Sequence, residues 1–134
     1  MEAAQALADL TEISTQIKAA ALFRADGTLD ASTLADGTRF VEAARALLSA
    51  AEGVRTEPLV QLEAATADGS VFVVRDGERV VAAVTGPEPT VGLVFYDLKS
   101  CLRSSAESEE PATPKRAPKR KPKAEGEGEE NGEA

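Results

Sequence analysis

Apolar positions recur at helical spacing in three stretches of the chain and at strand spacing in five others. Residues 3–14 place Ala3, Ala6, Leu7, Leu10 and Ile13 on one face of a first helix. A short apolar run, Ile17 to Phe23, is followed by Asp26-Gly27 and then by Thr28 to Ser32. Asp-Gly between two extended runs predicts a hairpin, because both residues tolerate the positive φ of a tight turn. Residues 37–52 form the clearest helix, with Phe40, Ala44, Leu47, Leu48 and Ala51 on one face and Gly53 placed to end it. Leu59–Ala65, Ser70–Arg75 and Arg79–Thr85 then read as three strands, turned into a meander by Asp68-Gly69 and Asp76-Gly77. After Gly86-Pro87-Glu88-Pro89, a last helix runs from about Val91 to Ser104 with Val91, Val94, Phe95, Leu98 and Leu102 on one stripe.

The strands differ in a way that orders them. Runs 19–23, 71–74 and 80–84 are apolar on both faces, so both sides of the sheet are covered there. Runs 28–32 and 59–64 alternate, with Val60, Leu62 and Ala64 on one side and Gln61 and Glu63 on the other, which marks them as edges. The hairpin joins strands 1 and 2 and the meander joins 3, 4 and 5. Placing the doubly buried strands inside forces strand 1 beside strand 5, for a spatial order of 2-1-5-4-3. Helices must then cover both faces. The expected fold is an α/β (α+β) sandwich, a five-stranded mainly antiparallel sheet in α-ββ-α-βββ-α order.

Composition changes after Arg103. From Ser104 to Ala134 there is no Val, Ile, Leu, Phe or Tyr. Such a segment buries too little apolar surface to offset its ordering entropy, so the expectation is one folded domain over residues 1–105 and a disordered, charge-blocked tail over 106–134. The tail opens acidic, continues with a Pro-spaced basic run (Lys115, Arg116, Lys119, Arg120, Lys121, Lys123) and closes acidic. In residues 1–105 nine Lys or Arg stand against 15 Asp or Glu, and in the tail six stand against eight, for a net charge of −8 overall. An acidic domain argues against non-specific nucleic-acid binding.

With no His and one Cys, neither a Ser-His-Asp nor a Cys-His pair can be assembled, nor a zinc site of the usual His/Cys kind, nor an internal disulfide. No run approaches about 18 apolar residues, and Met1-Glu2-Ala3-Ala4 lacks the basic-then-apolar pattern of a signal peptide. The expectation is a soluble cytoplasmic protein that is not an enzyme, with no cofactor and no metal. The Asp-Gly pairs at 26–27, 36–37, 68–69 and 76–77 lack the spacing of a calcium loop and the ending of a phosphate loop, and read as three turns and one helix start. Cys101 falls close to the stripe of the last helix and reads as a buried, inert thiol. Arg24, Arg75 and Arg79 flank turns, where surface arginine is commonplace, and none is nominated as catalytic.

The sequence resembles the Roadblock/dynein light-chain family in its bacterial MglB-like branch. The stretches that carry the resemblance are Ile17 to Gly27, the Ala-rich helix Phe40–Glu52, the meander Val71–Thr85 and the start of the last helix, Val91 to Leu98. It covers about residues 3–104 and none of the tail, and rests on the order and spacing of these pieces. It implies a non-catalytic homodimeric module that binds and regulates a small Ras-like GTPase. The alternative is a scaffold or adaptor of a polarity or signalling complex without effect on GTP turnover. Family dimers join their third strands edge to edge and pack their second helices together. On this chain the resemblance places the dimer interface on Leu59, Val60, Gln61, Leu62 and Glu63 with Ala46, Ser49 and Ala50. It leaves Arg39, Glu42 and Arg45 as the polar groups that meet the GTPase. An unprotected edge at 59–64 supports pairing independently, since only Glu57 and Pro58 guard its start. The outer face of the second helix (Thr38, Arg39, Glu42, Ala43, Ala46, Ser49, Ala50) is small enough for another helix to approach. The basic run of the tail reads as a solvated segment, and as the one stretch with the charge to meet an anionic partner.

Overall fold

Three helices and five strands account for most of residues 2–55 and 57–109, which are the residues the structure, a computed structural model, describes. In chain order they are α1 (Ala3–Ile13), β1 (Ile17–Arg24), β2 (Leu29–Ser32), α2 (Thr38–Glu52), β3 (Gln61–Thr66), β4 (Gly69–Asp76), β5 (Arg79–Thr85) and α3 (Val91–Glu109). The strands form one antiparallel sheet in the order β2-β1-β5-β4-β3, as the burial pattern requires. Most of the expected tail lies outside the described residues.

The centre of the sheet is made of alanine. Ala20 pairs with Ala83 and Ala21 with Ala82 across β1 and β5, and all four are fully buried. Alternation along each strand sends Ala20, Leu22, Phe72, Val74, Val81 and Ala83 to the face covered by α1 and α3. Ala21, Phe23, Val73, Val80 and Ala82 point to the face covered by α2. On the first face Phe72 meets Phe95 edge to face, ring centroids 5.0 Å apart, a geometry that suits the ring quadrupoles.

Turn chemistry follows the Asp-Gly pairs. Gly27 and Gly77 have φ of 100° and 64°, which an L side chain disfavours. The Asp26 carboxylate accepts the Thr28 amide at 2.9 Å, and that bond holds its pKa below the usual value. The Asp36 carboxylate accepts the Thr38 amide at 3.1 Å at the start of α2, so this pair opens a helix.

Four details depart from the periodicity. The buried column of α2 runs through Val41, Ala44 and Leu48, while Phe40, Leu47 and Ala51 flank it half-buried. Two adjacent apolar columns exist on this helix, and the one with Ala44 at its middle lets the helix sit closer to the sheet. Gly53 ends α2 in a right-handed conformation, with φ −68°, so its freedom at positive φ is not used. Ile13 and Val91 lie at helix ends beyond the sheet and stay 72% and 39% exposed. Finally, β3 starts at Gln61, two residues after Leu59, and α3 continues five residues past Ser104 to Glu109. Ser105 is buried in that extension and its hydroxyl donates to the Leu102 carbonyl at 3.0 Å.

Two tests follow from the packing. A Cβ on Gly69 would collide with the backbone carbonyl of Thr85, so Gly69→Ala should cost about 1–3 kcal/mol in urea unfolding. An unchanged midpoint would mean that the end of β5 moves aside freely. Burial pushes the Cys101 thiol up to about 12, with the nearby Asp9 charge adding to the effect. An unfolded chain ionises this thiol near pH 9 while the folded one does not. Its contribution to stability is therefore complete below that pH and lost as pH rises toward 12. A thiol reagent at pH 8 should label Cys101 only after denaturation, and rapid labelling of the native chain would contradict this burial.

Candidate interaction surface

The α2 face of the sheet is the more thinly covered. One helix, with three buried residues, lies over it, whereas α1 and α3 together seal the opposite face. Toward β3 the cover runs out. Leu59, Leu62 and Val71 pack against the α2 cluster yet stay partly open to solvent. An apolar strip thus leads from the flank of α2 to the sheet edge. β3 pairs with β4 from Gln61↔Val74 to Thr66↔Gly69, and among the described residues no strand lies on its other side. That leaves one row of its backbone donors and acceptors unpaired with any strand.

Six of the eight residues expected at a self-association surface divide between these two elements. Gln61, Leu62 and Glu63 lie in β3, and Ala46, Ser49 and Ala50 are exposed on the outer face of α2. Leu59 and Val60 precede the strand, although the Arg75 amide still donates to the Val60 carbonyl at 2.8 Å. The alternation expected from Val60 to Ala64 breaks at this point. Leu59 packs toward α2, while Val60 is 62% exposed and lines a cleft with Lys99, Leu102 and Arg103 of α3. Pro58, just before this stretch, carries no amide hydrogen, so the ladder cannot extend further toward the chain start.

Arg39 and Glu42 are exposed within the first two turns of α2. Arg45 behaves differently. Its Nε donates to the Ala25 carbonyl at 3.2 Å and its guanidinium lies over Gly27, so it fastens α2 to the β1–β2 turn. A shallow concavity with Phe23 and Leu48 at its floor opens there, rimmed by Glu42, Arg45, Ser49 and Glu52. At its far rim the Arg75 Nη1 donates to Glu52 at 2.9 Å and its Nε to the Gly77 carbonyl at 2.9 Å. This bridge joins the last turn of α2 to β4. Nothing in the sequence marks it, because Glu52 and Arg75 stand 23 positions apart.

The arginines beside the turns are engaged in the fold. Arg24 pairs with Asp30 at 2.8 Å and Arg75 with Glu52, both partly buried. Among the described residues no group of three His, Cys, Asp or Glu is placed to hold a metal ion, and no helix is long and apolar enough to cross a membrane. The surface offers a strand edge, an apolar strip and a few charges, which is chemistry for holding another protein. Arg75→Ala should lower stability by about 0.5–1.5 kcal/mol, since the pair is one-third exposed and only partly desolvated. Hydrogen exchange should quicken in the last turn of α2 before it changes in α1, and equal exchange in both would deny the bridge its fastening role.

No protein-family model and no curated protein matches the chain. Solved structures do. A Roadblock/LC7 domain from Streptomyces avermitilis superposes with a TM-score of 0.71 at 16% identity, covering 81% of this chain and 98% of that one. An MglB described in a tetrameric arrangement gives 0.66 at 14% identity, over 77% of this chain and 86% of that one. The gliding protein MglB of Thermus thermophilus gives 0.65 at 13% identity, over 77% and 87%. The α-ββ-α-βββ-α order, the 2-1-5-4-3 sheet and these superpositions give the chain the Roadblock/LC7 fold, in the form shared with MglB.

Proposed function

We propose that this chain is a non-catalytic homodimeric module of the bacterial cytoplasm that binds a small Ras-like GTPase and regulates it. The observation that carries the reading is the unpaired β3 edge, continuous with the half-covered apolar strip that leads to α2. A stable dimer buries about 1,200–2,000 Å² in total. A six-residue strand supplies only part of that. The small outer residues Ala46, Ser49 and Ala50 let a second α2 complete the contact around a twofold axis. The solved MglB in a tetrameric arrangement supports self-association, and the resemblance to the MglB-like branch supports a GTPase partner.

Arg39 and Glu42, exposed on α2 toward its start, are the groups that meet the GTPase, with Arg45 setting the end of the surface against the β1–β2 turn. A partner of this kind acts by binding one arrangement of the switch loops better than another, since only differential affinity shifts a conformational equilibrium. The engagement of Arg24 with Asp30 and of Arg75 with Glu52 supports a mechanism without an arginine donated to the nucleotide.

Light scattering on the full chain at micromolar concentration should give twice the monomer mass, and Leu62→Pro should return it to the monomer. A monomeric parent would remove the structural basis of the reading. In a hydrolysis and binding assay with a small Ras-like GTPase, Glu42→Arg should weaken binding by at least about tenfold with the fold intact. Arg24→Ala, Arg75→Ala and Arg79→Ala should each leave any stimulated hydrolysis within a few-fold of the parent. Loss of several hundred-fold with binding retained would make that arginine catalytic. Binding without any change in turnover would replace regulation by the adaptor role.

A further inference from the structure

On the face of the molecule away from α2, a groove of about 210 Å³ runs between α1 and α3. Leu10 and Cys101 form its floor, and Ile13 and Tyr96 stand on its rim, 72% and 65% exposed. Asp9 and Asp97 line it as well. Asp97 is the unusual member. It is 9% exposed and, among the described residues, its carboxylate has neither a hydrogen bond nor an ion pair. Its carboxylate oxygens still meet solvent, since Ser14 Oγ is, among the described residues, the buried side-chain atom without a hydrogen-bond partner, so a cation can reach them from the groove. The surroundings supply none. From Glu2 to Ile17 the chain carries Glu2, Asp9 and Glu12 and no Lys or Arg. The basic residues of α3, Lys99 and Arg103, line the separate cleft beside Val60. The groove therefore presents two acids and an exposed aromatic ring over an apolar floor, and it suits a cationic segment with proline between the charges.

Such a segment follows in this same chain. Residues 114–123 read Pro-Lys-Arg-Ala-Pro-Lys-Arg-Lys-Pro-Lys, with a proline at every fourth position and six positive charges. Reach is sufficient. From Asp97 to the end of α3 at Glu109 the helix climbs about 18 Å, and the six residues from Glu109 to Lys115 extend to about 20 Å. Covalent attachment holds the segment at an effective concentration on the order of millimolar, which a free basic peptide seldom reaches. We propose that residues 114–123 dock in the α1–α3 groove of their own chain, with a Lys or Arg against Asp97 and Asp9 and a proline against the Tyr96 ring. Since this face lies across the sheet from α2, the contact leaves the β3 edge and the outer face of α2 open. It stands or falls independently of the GTPase reading.

The chain has one Tyr and no Trp, so its ultraviolet fluorescence reports on Tyr96 alone. In full-length protein at low salt, acrylamide should quench Tyr96 less than in a full-length variant carrying Lys119→Glu, Arg120→Glu and Lys121→Glu. Asp97→Asn, which removes the charge at nearly constant volume, should lose the same protection. In 1 M salt, where the screening length falls to about 3 Å, the parent should match both variants. A synthetic peptide of residues 114–123 at roughly millimolar concentration should restore protection to the charge-reversed chain but not to Asp97→Asn. Equal quenching of parent and charge-reversed chain at low salt overturns the proposal. Protection that grows with protein concentration also overturns it, by assigning the bound segment to another copy.

Discussion

The pairing of alanines at the middle of the sheet is the constraint on which the architecture depends. Ala20, Ala21, Ala82 and Ala83 sit side by side on β1 and β5, two facing each way. Because they project so little, α1, α3 and α2 can approach the sheet closely at its centre. The bulk that fills the core is displaced to a ring around them: Leu22, Phe23, Phe72, Val73, Val80 and Val81. Both faces of one strand pair are thereby spoken for, and a pair buried on both faces must lie in the interior of the sheet. The position of β3 at the rim follows from this. So does the uneven cover, since two helices on one side and one on the other leave the β3 half of the α2 face short of a partner.

This division gives each face its own chemistry. The α1–α3 side is sealed by a cluster that includes Leu7, Leu10, Val94 and Leu98, and its surface character comes from acids above a closed core. The α2 side is open toward β3, and its character comes from apolar side chains and backbone groups without strand neighbours. A partner attracted to the first surface is recognised mainly by charge. One attracted to the second is recognised by shape and by strand pairing.

How much of this was legible follows from the kind of signal each feature leaves. Strand order was readable because burial on both faces is written into consecutive apolar residues, as in Phe72-Val73-Val74 and Val80-Val81-Ala82-Ala83. Exposure of Arg39, Glu42, Ala46, Ser49 and Ala50 was readable for the complementary reason, since a single helical period places them together. The choice between Phe40 and Val41 as the buried column was not. Both columns are apolar, and the shape of the sheet beneath decides which one fits. Contacts made by long polar side chains across the fold were invisible as well. The Glu52–Arg75 bridge and the reach of Arg45 to Ala25 depend on where three elements meet, and no local pattern records that. Asp97 escaped notice because a single Asp on a helix looks solvated until the neighbouring helix is placed beside it.

The light attachment of α2 has a thermodynamic consequence. It holds to the sheet through Val41, Ala44 and Leu48 and two polar ties, and among the described residues no other helix shares its face of the sheet. Local opening costs least where the fewest apolar contacts are given up, so α2 is the helix that detaches at the lowest free energy. Any protein that grips its outer face also has to keep it seated, and part of the binding energy is then spent on suppressing that opening. The apparent affinity of such a partner and the rigidity of α2 become one linked quantity, and a substitution beneath the helix would change recognition without touching the surface that is recognised.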